Sequence, residues 1–205
     1  MSAVTSPPGP SSLTSLISTS GSGSDPLSAL TTQILHNLQH QHYWTSLRIH
    51  EPSKPISPSF EKQPPPPTPL ISGIPPHRVY THPDEQLYML EKGLREEDLI
   101  PERIFVLPTA QGQSWSLQKL AQVFDSLPEA EEQPQTLVGR DDTVGPGKEK
   151  AAKLVEYYER REKARATKEW GGKRLLLAMV DKGMGGDGTV VYYVVQEGTV
   201  KPRQN

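Results

Sequence analysis

The sequence predicts an α/β protein in which a mixed β-sheet is flanked by helices. Three observations predict it: a C-terminal pair of apolar runs joined by a Gly-rich connection, a short apolar run at 103–107, and amphipathic helical stripes around it. The chain has 205 residues, 34% of them hydrophobic, with 21 Pro. Much of it therefore lacks the apolar surface needed to offset the entropy of ordering, and one domain with disordered appendages is expected. The expected boundaries are a disordered tail at 1–26 and a domain at 27–205. A Pro-rich loop at 51–76 and an acidic disordered insertion at 129–147 interrupt the domain.

The formal net charge of -2 gives no global attraction to a polyanion, so any nucleic-acid contact must be local. With no Cys there is no disulfide, thiolate metal site or cysteine nucleophile. The Ser/Thr/Gly/Pro-rich start lacks a signal's basic and apolar segments, and no apolar stretch is long enough for a membrane helix. A soluble, intracellular protein is expected.

Taken in order, Ser28 or Thr31 can cap a first helix with a stripe of Leu27, Leu30, Ile34 and Leu38, continued by Leu35, Trp44 and Leu47 to an end near His50. Pro52, Pro55 and Pro58 prevent its continuation. The proline density at 51–76 suits extended, polyproline-like chain, either a spacer or a ligand for SH3 or WW domains. Residues 83–92 fit a helix opened by Pro83 or an alternating strand. The run 103–107 reads as a strand stopped by Pro108. Ser114 or Ser116 then caps a helix carrying Leu117, Leu120, Ala121, Phe124 and Leu127, which Pro128 ends. Residues 148–168 read as a mostly solvated helix with Ala151, Leu154, Val155 and Tyr158 as its apolar stripe, and with Glu149–Lys153 and Glu159–Lys163 pairs.

The C-terminal runs are 173–181, with Leu175 to Val180 uninterrupted by a polar residue, and 189–196, with Val190, Val191, Tyr192, Tyr193, Val194 and Val195. Such runs need cover on both faces, worth roughly 10 kcal/mol for the last strand alone. That cover is either internal core or a partner protein.

The run KRLLLAMVDKGMGGDGTVVYYVVQEGTVKPRQN at 173–205 and FVLPTAQGQSWSLQKLAQVF at 105–124 resemble the small structural subunit of the eukaryotic tRNA-splicing endonuclease, the Sen-fifteen type, in its fungal form. HNLQHQHYWTSLRIH at 36–50 and VYTHPDEQLYMLE at 79–91 extend the likeness. The resemblance implies a tRNA-intron endonuclease-like domain and a non-catalytic subunit of a heterotetramer with two catalytic and two structural subunits. It implies that 189–196 pairs directly with a catalytic subunit of the Sen-thirty-four type, so Val190 to Val195 become interface residues. A loop before the last strand would dock on the opposite pair, here 181–188 with Asp181 and Asp187. It also suggests the nucleus, with a cytoplasmic site at the mitochondrial surface as the alternative.

RNA cleavage of this kind needs a general base, a general acid and a cation, which the family's catalytic members supply as His, Tyr and Lys. All six His precede residue 83, and the region where the catalytic His belongs, 94–103, has none. Lys173 falls near the catalytic Lys position but also reads as a strand-initiating lysine. No cofactor or metal is expected: His36, His40 and His42 read as surface residues, and the Asp187–Gly188–Thr189 stretch precedes a strand where a phosphate cradle precedes a helix. Lys173, Arg174, Lys201 and Arg203 are the candidate RNA contacts, through phosphates and without base readout. The competing reading is a proline-rich adaptor with a small α/β protein-binding domain.

Overall fold

The structure, a computed structural model, describes residues 15, 26–52, 54, 56, 64–128, 146–180, 189–197 and 199–202, with backbone only at 146–148 and 199–202. The expected tail, but for residues 15 and 26, and most of the acidic insertion lie outside these residues. The elements are α1 (Pro26–His40), β1 (Thr45–His50), β2 (Leu70–Ile74), α2 (Pro83–Lys92), a 3-10 turn (Glu96–Asp98), β3 (Ile104–Ala110), α3 (Leu117–Ser126), α4 (Pro146–Thr167), β4 (Arg174–Val180), β5 (Val190–Gln196) and β6 (Thr199–Pro202).

The strands form one sheet in the order β1-β2-β3-β4-β5-β6. Every neighbouring pair is antiparallel except β3 and β4. That parallel pair requires a long crossover, and α3 and α4 lie within it. The mixed sheet flanked by helices is the predicted fold class.

Alternation along the strands divides the core between two faces. Val106, Leu176, Ala178, Val180, Tyr192 and Val194 pack with Leu30, Ile34 and Leu38 of α1 and with Trp44. Phe105, Leu107, Leu175 and Val195 pack with Val123, Phe124 and Leu127 at α3. A third cluster, Met89, Leu94, Leu99, Tyr157, Ala164 and Trp170, joins α2 to α4.

Several local expectations change. The first helix stops at His40, ten residues early, because Trp44 turns into the core. Trp44 N–H donates to Leu38 C=O at 2.9 Å, and Tyr43 adopts φ 55° to reverse the chain. The chain then enters β1, which pairs with β2, so the expected Pro-rich loop contributes a strand at its end. Gly73 of β2 permits this pairing: a Cβ there would stand 2.7 Å from Leu47 Cδ2.

Residues 83–92 are helical. Pro83 sits in the first turn, the His82 side chain accepts from Asp84 N–H, and Gly93 at φ 69° closes the end. Strand β3 runs through Pro108. The last β2 partner along it is Val106, so the missing N–H costs no bond on that side. Ser116 caps α3 by accepting from Lys119 N–H at 3.2 Å. Leu117 and Ala121 of the predicted stripe are exposed, and Val123 is buried instead. In α4 the buried positions are Tyr157, Arg161 and Ala164, while Val155 and Ala151 face water. The Glu149–Lys153 pair forms at 2.9 Å.

Candidate subunit interface

Strand β5 pairs with β4 over its whole length, from Val190 opposite Val180 to Gln196 opposite Arg174. Its other edge carries β6, with Tyr193 opposite Pro202, Val194 opposite Lys201, Val195 opposite Val200 and Gln196 opposite Thr199. Both edges of β5 are thus occupied within the chain. Among the described residues, β6 is the outermost strand on this side.

The six residues predicted for the interface separate by face. Val190, Tyr192 and Val194 pack on the α1 side. The Tyr192 hydroxyl donates to Asn37 Oδ1 at 2.6 Å, and its ring meets His42 edge-on at 5.1 Å. Val195 is covered on the α3 side. Val191 and Tyr193 remain: Val191 is 37% exposed and Tyr193 half-buried. Opposite them stand Met179 and Leu177, both half-buried. These four side chains form an apolar strip on the α3 face that α3 covers only in part.

Asp181 and Asp187, expected in the docking loop, and Arg203 lie outside the described residues. Lys201 is in β6. Lys173 and Arg174 face different tasks. Lys173 Nζ donates to the carbonyls of Leu127 at 2.9 Å and Phe124 at 3.3 Å, closing the C-terminus of α3 where a cation is favoured. Arg174 is largely buried, its guanidinium 5.2 Å from the Tyr80 ring centre.

No cluster of three potential metal-ligating residues occurs among the described residues. His36 and His40 lie on one helix face, their rings tilted by 47° with 4.4 Å between centres. His50 is half-buried beside Ser72, and burial, then Arg103 and Arg48, hold its imidazole below the usual range. His82 is a helix cap. Among the described residues no helix is long and apolar enough to cross a membrane.

Sequence reasoning missed a polar network under α4. Glu85 Oε1 accepts from the Tyr157 hydroxyl at 2.6 Å and from Arg78 Nη1 at 3.0 Å, and lies 3.4 Å from Arg161 Nε. Glu102 Oε1 faces Arg161, Arg78 and Arg165. Glu85 is buried and 1% exposed, Arg161 5%. Burial raises the Glu85 carboxyl, but Arg78, the Tyr157 hydroxyl and Arg161 outweigh it and hold it below the carboxylate range. Burial also pushes the Tyr157 phenol up and the Arg161 guanidinium down. The available signal was the spacing Leu154, Tyr157, Arg161, Ala164, a helical stripe that tolerates one arginine.

The fold and its strip define a class: a single-sheet α/β domain whose β4–β5 pair both completes its own core and leaves apolar side chains partly uncovered. The sequence model of the Sen15 protein family matches residues 33–141 and 149–205. The chain belongs to that family. It is also 35% identical over 182 residues to the probable tRNA-splicing endonuclease subunit tsp-1 of Neurospora crassa, covering 87% of this chain and 67% of that protein. No solved structure matches it.

Proposed function

We propose that this chain is a non-catalytic structural subunit of the tRNA-splicing endonuclease, and that it pairs with a catalytic subunit of the Sen-thirty-four type to support removal of introns from pre-tRNA. Membership of the Sen15 family carries the reading, and the Neurospora relative, a probable tRNA-splicing endonuclease subunit, agrees with it. The strip of Leu177, Met179, Val191 and Tyr193 supports the contact, because partly uncovered apolar side chains on a sheet gain most from a partner. The outer β6 edge beside it offers backbone donors and acceptors for strand pairing.

In this reading the other catalytic and structural subunits complete a heterotetramer, Asp181 and Asp187 contribute a second contact, and pre-tRNA is met chiefly through the complex. Arg174, Lys201 and Arg203 are the remaining candidates for direct RNA contact, since the Lys173 ammonium is engaged by α3. Nuclear residence goes with this role.

Co-expression and co-purification with the catalytic subunit test the proposal. Val191→Asp and Tyr193→Asp should leave the chain folded and remove the partner from the purified complex. Val194 is a poorer probe, being 4% exposed core whose substitution would unfold the sheet. Retention of the partner by both variants refutes the interface, and recovery only with SH3 or WW proteins would favour the adaptor.

A further inference from the structure

The network under α4 carries more positive charge than its own carboxylates neutralise. Arg78, Arg161, Arg165 and Arg174 stand around Glu85 and Glu102, leaving two guanidinium charges uncompensated. Arg165 is exposed and hydrated, so one of these charges is the buried excess, and a buried cation without a carboxylate gains from an anion supplied from outside. Arg174 has no carboxylate within ion-pair distance among the described residues, its partner being the Tyr80 ring. Arg78 is 91% buried (9% exposed), yet its Nε has no hydrogen-bond partner.

The excess is reachable from solvent. Arg174, Tyr80 and Glu102 line a small cavity with Val79 and Ile104, of about 30 Å³. Arg165 stands over the same Glu102, its Nη2 at 3.5 Å from Oε1, and its side chain is 43% exposed. Glu102 in the wall does not repel an incoming anion strongly, because the oxygen that faces inward is already shared by Arg161, Arg78 and Arg165. A cavity of this volume admits one oxygen-sized group and no more. An oxyanion fits this space by inserting one oxygen beside Arg174 and leaving the rest outside, towards Arg165. Guanidinium pairs suit phosphate in this way through their planar donor forks.

We propose that Arg165 and Arg174 hold a phosphate-class oxyanion at the mouth of this network, as a binding site separate from the C-terminal strip. The phosphate comes either from an RNA backbone or from a small molecule. The site does not depend on the assembly role, since its residues lie on α4, the start of β4 and the segment before α2.

Titration calorimetry of the full chain with inorganic phosphate, against sodium chloride at matched ionic strength, tests it. Saturable phosphate binding is expected, weakened at least tenfold by Arg174→Gln and by Arg165→Gln. Lys163→Gln, an exposed charge change on the same helix, should leave it unaltered. Arg165 is half-exposed, so its variant remains informative even if Arg174→Gln fails to fold. Absence of saturable binding, or equal binding by the folded arginine variants, overturns the proposal. Displacement of phosphate from the unaltered chain by a dephosphorylated single-stranded RNA assigns the source to RNA backbone. Failure to displace assigns it to free phosphate or a phosphorylated small molecule.

Discussion

Replacing Glu85 with Gln keeps the side chain's shape and removes its charge. The residue is 1% exposed, so solvent does not screen the loss. Its Oε1 holds the Tyr157 hydroxyl at 2.6 Å and Arg78 at 3.0 Å, with Arg161 at 3.4 Å. The variant would leave the surrounding arginines with Glu102 as their remaining carboxylate. Removing one partner from a buried ion pair costs about 3–5 kcal/mol. For a domain of this size that corresponds to a fall in Tm of roughly 6–20 °C. Urea unfolding followed by circular dichroism measures it, with an unchanged m-value showing that stability and not compactness has moved. The same carboxylate sets an acid limit. Its folded pKa lies below the usual 4.5, so its contribution is complete above pH 4.5 and drains away as pH falls towards the folded value. Glu85→Gln should therefore be less stable near neutrality and lose stability less steeply below pH 4.5. A loss under about 1 kcal/mol, or an unchanged acid slope, would refute the claim that this carboxylate anchors the network.

Gly73→Ala should cost about 1–3 kcal/mol in thermal unfolding, because its Cβ would press on Leu47, Trp44 and the Thr45 carbonyl where β1 meets β2. Lys173→Ala should lower stability by about 1 kcal/mol by uncapping α3, and should leave RNA binding by the purified complex unchanged. An RNA defect without a stability loss would make Lys173 an RNA contact after all. His50 has a depressed folded pKa, so its neutral form is favoured in the fold and its contribution is lost as pH falls through 6.5 towards that lower value. His50→Gln should flatten the stability profile between pH 6.5 and 5, read from urea midpoints.

The hairpin of β4 and β5 was legible because Leu, Val and Tyr runs this long have few other folds open to them. Helix α3 was legible from its cap and its proline stop, and Leu120, Phe124 and Leu127 of its stripe do face the sheet, though Leu117 and Ala121 are exposed and Val123 takes a buried place. Strands β1 and β2 were not. TSLRIH and LISGI are short, lie on either side of a proline-rich segment, and become strands only by pairing with each other and β3. Local propensity at Trp44 continued a helix, and burial of its indole ended one. The network under α4 was least legible, since Arg78 and Tyr157 meet across 79 positions and a buried arginine reads in sequence like a solvated one. For the proposed interface, the pattern singled out one strand but could not divide it: Tyr192 and Tyr193 are chemically alike, and only the register sends one to α1 and the other to the opposite face.

That division leaves open which edge a partner strand would use, and deletion of β6 separates the choices. In the full chain β6 occupies the β5 edge through four residue pairs. A chain ending at Glu197 would present the N–H and C=O groups of β5 directly, beside Val191 and Tyr193. If the partner normally replaces β6 and pairs with β5, the truncated chain should bind it more tightly, because no internal strand must first be displaced. If the partner adds to the outer edge of β6, the truncated chain should bind far more weakly, since the groups it needs have gone. The deletion removes an edge strand and leaves the α1 and α3 cluster residues named above in place, so the shorter chain should still fold, which far-UV circular dichroism can verify. Affinity for the catalytic subunit unchanged by the deletion would exclude both pairings and leave the face, with Leu177, Met179, Val191 and Tyr193, as the surface that binds.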